Sequence, residues 1–225
     1  RTSGSITLNV KYNYSQEMQF ASKENAGGNG PELLISPVGP DVELQESAEI
    51  ALIEHDNARG GWFRDDRIKA AEWAAQYFKP TLPANTQNWK INSVRIRLKK
   101  DGRNTGGVIS VQIRDADGSQ KPGSTIFAQS TVNESDLSGS YQWITVNFSP
   151  VGELNPADGF CLLVGYASGS GGVGKVEYEE GGSPMTADTH WMTTSNSGGS
   201  WSSPGSTKDM RFTVYGTVTT LGAPE

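Results

Sequence analysis

The chain has 225 residues, of which 35% are hydrophobic and 20% charged, enough to bury one core of the size that all-β sandwiches reach as single domains. Its 27 Gly and 11 Pro predict many turns rather than long helices, and a formal net charge of −6 argues against nucleic acid as a partner and equally against an anionic membrane surface. No stretch of about 18 apolar residues occurs, so no helix of this sequence is expected to span a bilayer.

Taken in chain order, residues 5–14 alternate Ile6, Leu8, Val10, Tyr12 and Tyr14 against Thr7, Asn9, Lys11 and Asn13, which predicts a strand. The Gly-rich run from Asn25 to Pro31 reads as an exposed loop. Residues 32–37 and 48–54 predict two short strands divided by Pro37, Gly39 and Pro40. The segment from Asp65 to Gln76 reads in two ways. It is rich in helix formers and has acids at its amino end, where the helix dipole favours them, yet residues 69–78 also fit a strand. Beyond Trp89, strands and turns alternate. Ser93 to Lys99, Gly107 to Arg114, Trp143 to Phe148 and Arg211 to Tyr215 each carry a period of two, so one face can enter a core while the other meets water. Turn chemistry marks residues 101–107 and 115–119, Pro122-Gly123 marks a bend, and residues 168–174 and 194–208 read as soft connections. No internal repeat is present.

Cys161 is the only cysteine and lies in the apolar run from Phe160 to Val164, so it predicts a small core residue and no disulfide within the chain. The chain begins at Arg1, which fits a processed or truncated protein and leaves room for an export signal or anchor upstream. Sequons at Asn13, Asn133 and Asn147 would be used only in an export pathway that glycosylates.

The order of signals from Gln76 to Gly216 resembles a jelly-roll module of exported bacterial proteins, the choice-of-anchor type, over about two thirds of the chain. The resemblance rests on Ala75 to Phe78, Ile91 to Leu98, Val111 to Arg114 leading to Lys121-Pro122-Gly123, Trp143 to Phe148, Leu154 to Val164, and Asp209 to Gly216. It implies a non-catalytic accessory unit, similar in outline to carbohydrate-binding jelly rolls, and favours the strand reading for Trp73 to Phe78, in which Ala74, Gln76 and Phe78 share a face. The expected fold is therefore an all-β antiparallel jelly-roll sandwich over residues 71–218, with a β-rich extension or small subdomain over 1–70, at most one short helix and a tail over 219–225.

Catalytic constellations are weak. Glycoside hydrolysis needs two carboxyls facing each other across a sugar, whereas the pairs Asp65-Asp66 and Glu179-Glu180 are adjacent and point to opposite sides of an extended chain. His55 and His190 are the only histidines, neither has a nucleophile elbow, and they lack a zinc-ligand spacing. Asp115 and Asp117 offer calcium-type oxygens at alternating positions of a turn, but the later acid of a calcium loop is missing, and an acidic hairpin turn is the plainer reading.

Binding is better represented. Tryptophan rings stack on the apolar faces of sugars, and of the six tryptophans Trp191 and Trp201 are the expected exposed pair, with His190 and Tyr178 completing the candidate ligand site. Trp143, opening an alternating strand, is expected in the core. The strand at residues 5–14 also has the form of a donor strand able to complete a neighbour's sheet, against the plainer reading that it pairs within its own sandwich. The expectation is a non-enzymatic extracellular or cell-surface protein with no cofactor and a structural or adhesive role, presenting the loops near 101–107, 168–174 and 194–208. Its partner would be a glycan or another surface protein. The alternatives are a carbohydrate-binding module and a filament subunit assembling through residues 5–14.

Overall fold

A computed structural model describes residues 43–102, 106–181, 189–205 and 207–222. The chain divides into the units Arg1–Pro40 and Asp41–Glu225, and the architecture below is that of the second. The predicted strands at 5–14 and 32–37, the loop at 25–31 and the sequon at Asn13 lie outside the described residues.

Among the described residues thirteen strands follow one another: β1 (Leu44–Glu46), β2 (Ile50–His55), β3 (Trp62–Lys69), β4 (Trp73–Phe78), β5 (Thr86–Lys99), β6 (Val108–Ala116), β7 (Pro122–Asn133), β8 (Gln142–Leu154), β9 (Phe160–Ser168), β10 (Gly172–Glu180), β11 (His190–Thr194), β12 (Lys208–Met210) and β13 (Phe212–Leu221). A single 3-10 turn, Glu134–Asp136, separates β7 from β8. The strands form two antiparallel sheets, one running β11-β4-β9-β6-β7, the other built on β5, β13 and β10 with β1, β2, β3, β8 and β12 attached. The chain passes repeatedly from one sheet to the other, as from β3 to β4 to β5, and strands distant in sequence pair. This is the all-β jelly-roll sandwich that the sequence predicts.

Alternation explains why these segments are strands. In β5, Val94, Ile96 and Leu98 are fully buried while Arg95, Arg97 and Lys99 face out, and the register sets Ile96 between Phe212 of β13 and Ile144 of β8. β4 is buried on both faces from Ala74 to Phe78, and its antiparallel pairing with β9 and β11 resolves the helix-or-strand ambiguity in favour of strand for residues 73–78, with β3 taking 62–69. The centre is aromatic: Trp89 meets Phe160 edge-on at 5.3 Å and donates its indole N–H to the Asn155 carbonyl at 3.3 Å. Fully burying such rings stabilises the fold by roughly 2–3 kcal/mol each. Gly216 sits where β13 shifts register against β5, and a Cβ there would run into the Lys90 carbonyl oxygen.

Three expectations need correction. The sandwich begins before residue 71, because β2 pairs with β13 and β3 with β10, so residues 44–69 are part of it. It also extends past 218, since Leu221 pairs with Leu44. Trp143 is not a core residue. It stands opposite Arg97 on the outward face, with the Arg95 guanidinium 4.4 Å from its ring centroid and that of Arg211 at 5.4 Å, while Glu177 accepts from both Arg97 and Arg211. The guanidinium groups, two of them paired with Glu177, shield the indole from water. Cys161 is fully buried, as expected, and burial pushes its thiol pKa well up, which makes it inert.

Candidate functional site

One edge of the sandwich is left open between β3 and β11, where the β3–β4 connection crosses from sheet to sheet. Its turn is closed by reciprocal backbone hydrogen bonds between Lys69 and Glu72, whose side chains also pair at 2.6 Å. Here a cleft of about 510 Å³ has Trp73 and Trp201 among its walls.

Trp73 opens β4 opposite Thr194 and is half-buried. Its indole N–H donates to Ala70 O at 3.2 Å, and its ring lies against Gly165 of β9, where a Cβ would be 2.9 Å from Cδ2. Trp201 reaches its place through the segment 195–205, which folds back along β11. Ser202 N–H donates to Thr193 O, Thr193 N–H to Ser202 Oγ, and Gly205 N–H to Trp191 O. Asn196 ties the bend: its Oδ1 accepts from Thr194 Oγ1 and Ser200 N–H, and its Nδ2 donates to Ser200 Oγ. The segment read as soft is thus a hydrogen-bonded lid over the outer face of the five-stranded sheet, and Trp201 packs there against Tyr77, Cys161 and Met192. Gly198, at φ +84°, lies between the two indoles. A Cβ on it would come within 3.1 Å of Trp73 Cζ3 and 3.7 Å of Trp201 Cζ2, so only glycine suits both the backbone and the space.

The polar lining is hydroxyl and carboxylate with one guanidinium. Thr193, Ser195, Ser200 and Ser202 contribute from β11 and the lid, and Asp66, Arg67 and Glu72 from the opposite wall. Arg67 is engaged by Asp101 at 2.6 Å and Glu72 by Lys69. Asp66 differs: half-buried and opposite Val176 on the inward side of β3, it makes no hydrogen bond or ion pair among the described residues. Burial, with smaller contributions from Asp65, Glu72 and Glu180, raises its pKa above the ordinary carboxylate value against the opposing pull of Lys208.

Of the four residues proposed from sequence, only Trp201 lines this cleft. Trp191 is 4% exposed, because the alternation of β11 turns it inward, where it stacks on Tyr178 at 4.7 Å and 23°. Tyr178, 7% exposed, belongs to the other sheet, so this pair joins the two layers behind the cleft and is not available for ligand stacking. His190 faces the opposite way and stacks on Tyr77 at 5.8 Å. Trp73, Asp66 and Ser200 were not singled out. Their only sequence traces are the glycines that seat the rings and the acid in β3 at a position sharing a face with Ile68.

Asp115 and Asp117 organise the β6–β7 hairpin. Asp117 Oδ1 accepts from Ser119 N–H at 2.7 Å and Lys121 N–H at 3.0 Å, and Asp115 Oδ1 from Thr125 N–H at 2.9 Å. A second recess of about 340 Å³ lies beside them, with Phe127 and Asp158 among its walls. Among the described residues no group of three His, Cys, Asp or Glu side chains could hold a metal ion, and no helix is long and apolar enough to cross a membrane.

No family model and no curated protein matches the chain. Among solved structures it is similar to "Structure of infectious bursal disease virus Gx strain", at 10% identity over 87% of this chain and 45% of that one. The TM-score is 0.27, too low for fold or function to be inferred from it.

Proposed function

We propose that the protein is a non-enzymatic, exported or surface-attached sandwich of adhesive character, whose ligand is a glycan held in the Trp73–Trp201 cleft. The observation that carries this reading is the pair of half-buried indoles converging on Gly198 in one open cleft whose remaining wall carries hydroxyls, two carboxylates and the Arg67 guanidinium. Sugars present apolar C–H faces and a rim of hydroxyls. Rings that are fixed before binding lose little entropy on stacking, and serine and threonine hydroxyls both donate and accept. Gly165 beneath Trp73, and the Asn196 network that ties the bend before Trp201 together with the Tyr77, Cys161 and Met192 cluster against its ring, supply that fixation. An adhesive role follows from placing such a cleft on a rigid scaffold with an acidic surface.

The test is a glycan array followed by calorimetry on each hit, with Trp201→Ala and Trp73→Ala. Either variant should weaken binding at least tenfold, about 1.4 kcal/mol, while melting within a few degrees of the parent. Absence of any hit, or affinity unchanged in both variants, rejects the cleft as a glycan site. Assembly through residues 5–14, the filament alternative, concerns a segment outside the described residues.

A further inference from the structure

Among the described residues, every charged group around the cleft is matched except one. Arg67 pairs with Asp101, Glu72 with Lys69, Asp65 with Lys99 and Lys175, and Glu180 with Lys208 and Arg64. The Lys208 ammonium, the cation that acts on Asp66, is itself held by Glu180 at 2.9 Å and lies over the Tyr178 ring at 5.3 Å. Asp66 alone lines the cleft with a half-buried carboxylate that makes no hydrogen bond or ion pair among the described residues. A half-buried carboxylate with no protein partner is partly stripped of water, and a ligand that supplies a charged donor offsets that loss. Stability alone would favour an apolar residue at this inward position, as two residues later at Ile68, which is fully buried.

Building on the glycan reading, we infer that the cleft selects amino sugars, with the Asp66 carboxylate accepting hydrogen bonds from the ammonium of an unacetylated hexosamine while Trp73 and Trp201 hold sugar rings. An N-acetyl group would deliver a neutral amide instead. A plain hydroxyl would offer one neutral donor. Charge-assisted hydrogen bonds are roughly twice as strong as neutral ones, and a half-buried site strengthens them further.

The experiment compares three hexamers of β-1,4-linked sugars that differ only at C2: glucosamine, N-acetylglucosamine and glucose. At pH 6 the glucosamine hexamer should bind about tenfold more tightly than the other two, the equivalent of about 1.4 kcal/mol. Asp66→Asn should bring the glucosamine hexamer down to the level of the other two. The preference should be greatest at intermediate pH. It falls on the acid side as Asp66 takes up a proton, at higher pH than an ordinary aspartate because its pKa is raised, and on the alkaline side as the amine loses its own. The charged groups that act on Asp66 from its own and the packed strands are Lys208, Asp65, Glu72 and Glu180, with the Tyr178 hydroxyl beside them; neutralising one of the acids should move the acid limb to lower pH, neutralising Lys208 should move it to higher pH, and Asp66→Asn should abolish it. Equal binding of all three hexamers with Trp dependence intact overturns the amino-sugar inference and leaves the glycan site standing. Binding of none of them, with an empty array, overturns both. Because the comparison uses the unaltered protein, it stands even if Asp66→Asn changes the fold.

Discussion

Gln76 is the buried polar bolt between the two sheets, and its removal should be felt throughout the edge that carries the cleft. Its Nε2 donates to Asp209 Oδ1 at 2.8 Å and its Oε1 accepts from the Met210 N–H at 2.8 Å, with Gln76 fully buried and Asp209 3% exposed. Gln76→Met keeps the length and volume of the side chain but takes away both of these hydrogen bonds and the longer one from Nε2 to the Tyr77 carbonyl oxygen at 3.2 Å. Each buried polar group deprived of a hydrogen bond costs about 1–3 kcal/mol, and the added apolar burial returns about 1 kcal/mol. The expected net loss is about 3 kcal/mol, or about 6–12 °C in melting temperature for a domain of this size. Urea unfolding should show a lower midpoint at unchanged m-value, which locates the loss in the folded state. Asp209→Asn in both backgrounds closes a double-mutant cycle, and the pair should couple by about 1 kcal/mol or more. A loss below about 1 kcal/mol for Gln76→Met, or a coupling near zero, would refute the bridge as a dry structural link.

Other outcomes follow from the same contacts. Gly165→Ala places a methyl 2.9 Å from Trp73 Cδ2, so the indole must tilt off its seat; glycan affinity should fall with only about 1 kcal/mol of stability lost, whereas unchanged indole fluorescence and affinity would show that the ring's seat does not matter. His55 is 1% exposed beside Glu179 at 3.0 Å, and burial lowers its pKa below the ordinary 6.5 despite that carboxylate. The folded protein therefore binds fewer protons than the unfolded chain between the lowered value and 6.5, and stability should rise with pH across that window and be lost as pH falls through it. In His55→Gln that part of the pH dependence should vanish. A parent whose stability is flat below pH 6.5 would contradict the assignment.

How far the sequence speaks depends on what sets each feature. Period-two alternation is imposed by a buried face, so β5, β6, β8 and β13 were readable from residues alone. Alternation gives the period and not the sign, and that is why Trp143 and Trp191 were misplaced. Trp143 lies in a strand that is buried on one face and shielded by arginines on the other, while Trp191 sits between His190 and Met192, neither of which marks the water side. The extent of the sandwich was missed for a related reason: β3 is an edge strand with charges on both faces, so Trp62 to Lys69 shows no clean pattern, and strong helix formers just after it suggested another element.

The cleft itself arises where pattern and fold disagree. Trp73 and Trp201 are remote in sequence and meet only because β11 pairs with β4 and the lid turns back along β11, a long-range arrangement that no local signal encodes. What the sequence does retain is the cost of building it: glycines at 165 and 198 where rings need clearance, and an aspartate at the β3 position that alternation assigns to the interior. Proteins break their own patterning rules chiefly at functional sites, because a residue that weakens the fold persists when a ligand supplies what the fold does not. By that argument Asp66→Leu should raise the melting temperature of the free protein while abolishing its preference for the glucosamine hexamer. A destabilised Asp66→Leu would show that the carboxylate is already satisfied without ligand, and would remove the physical reason for placing an ammonium beside it.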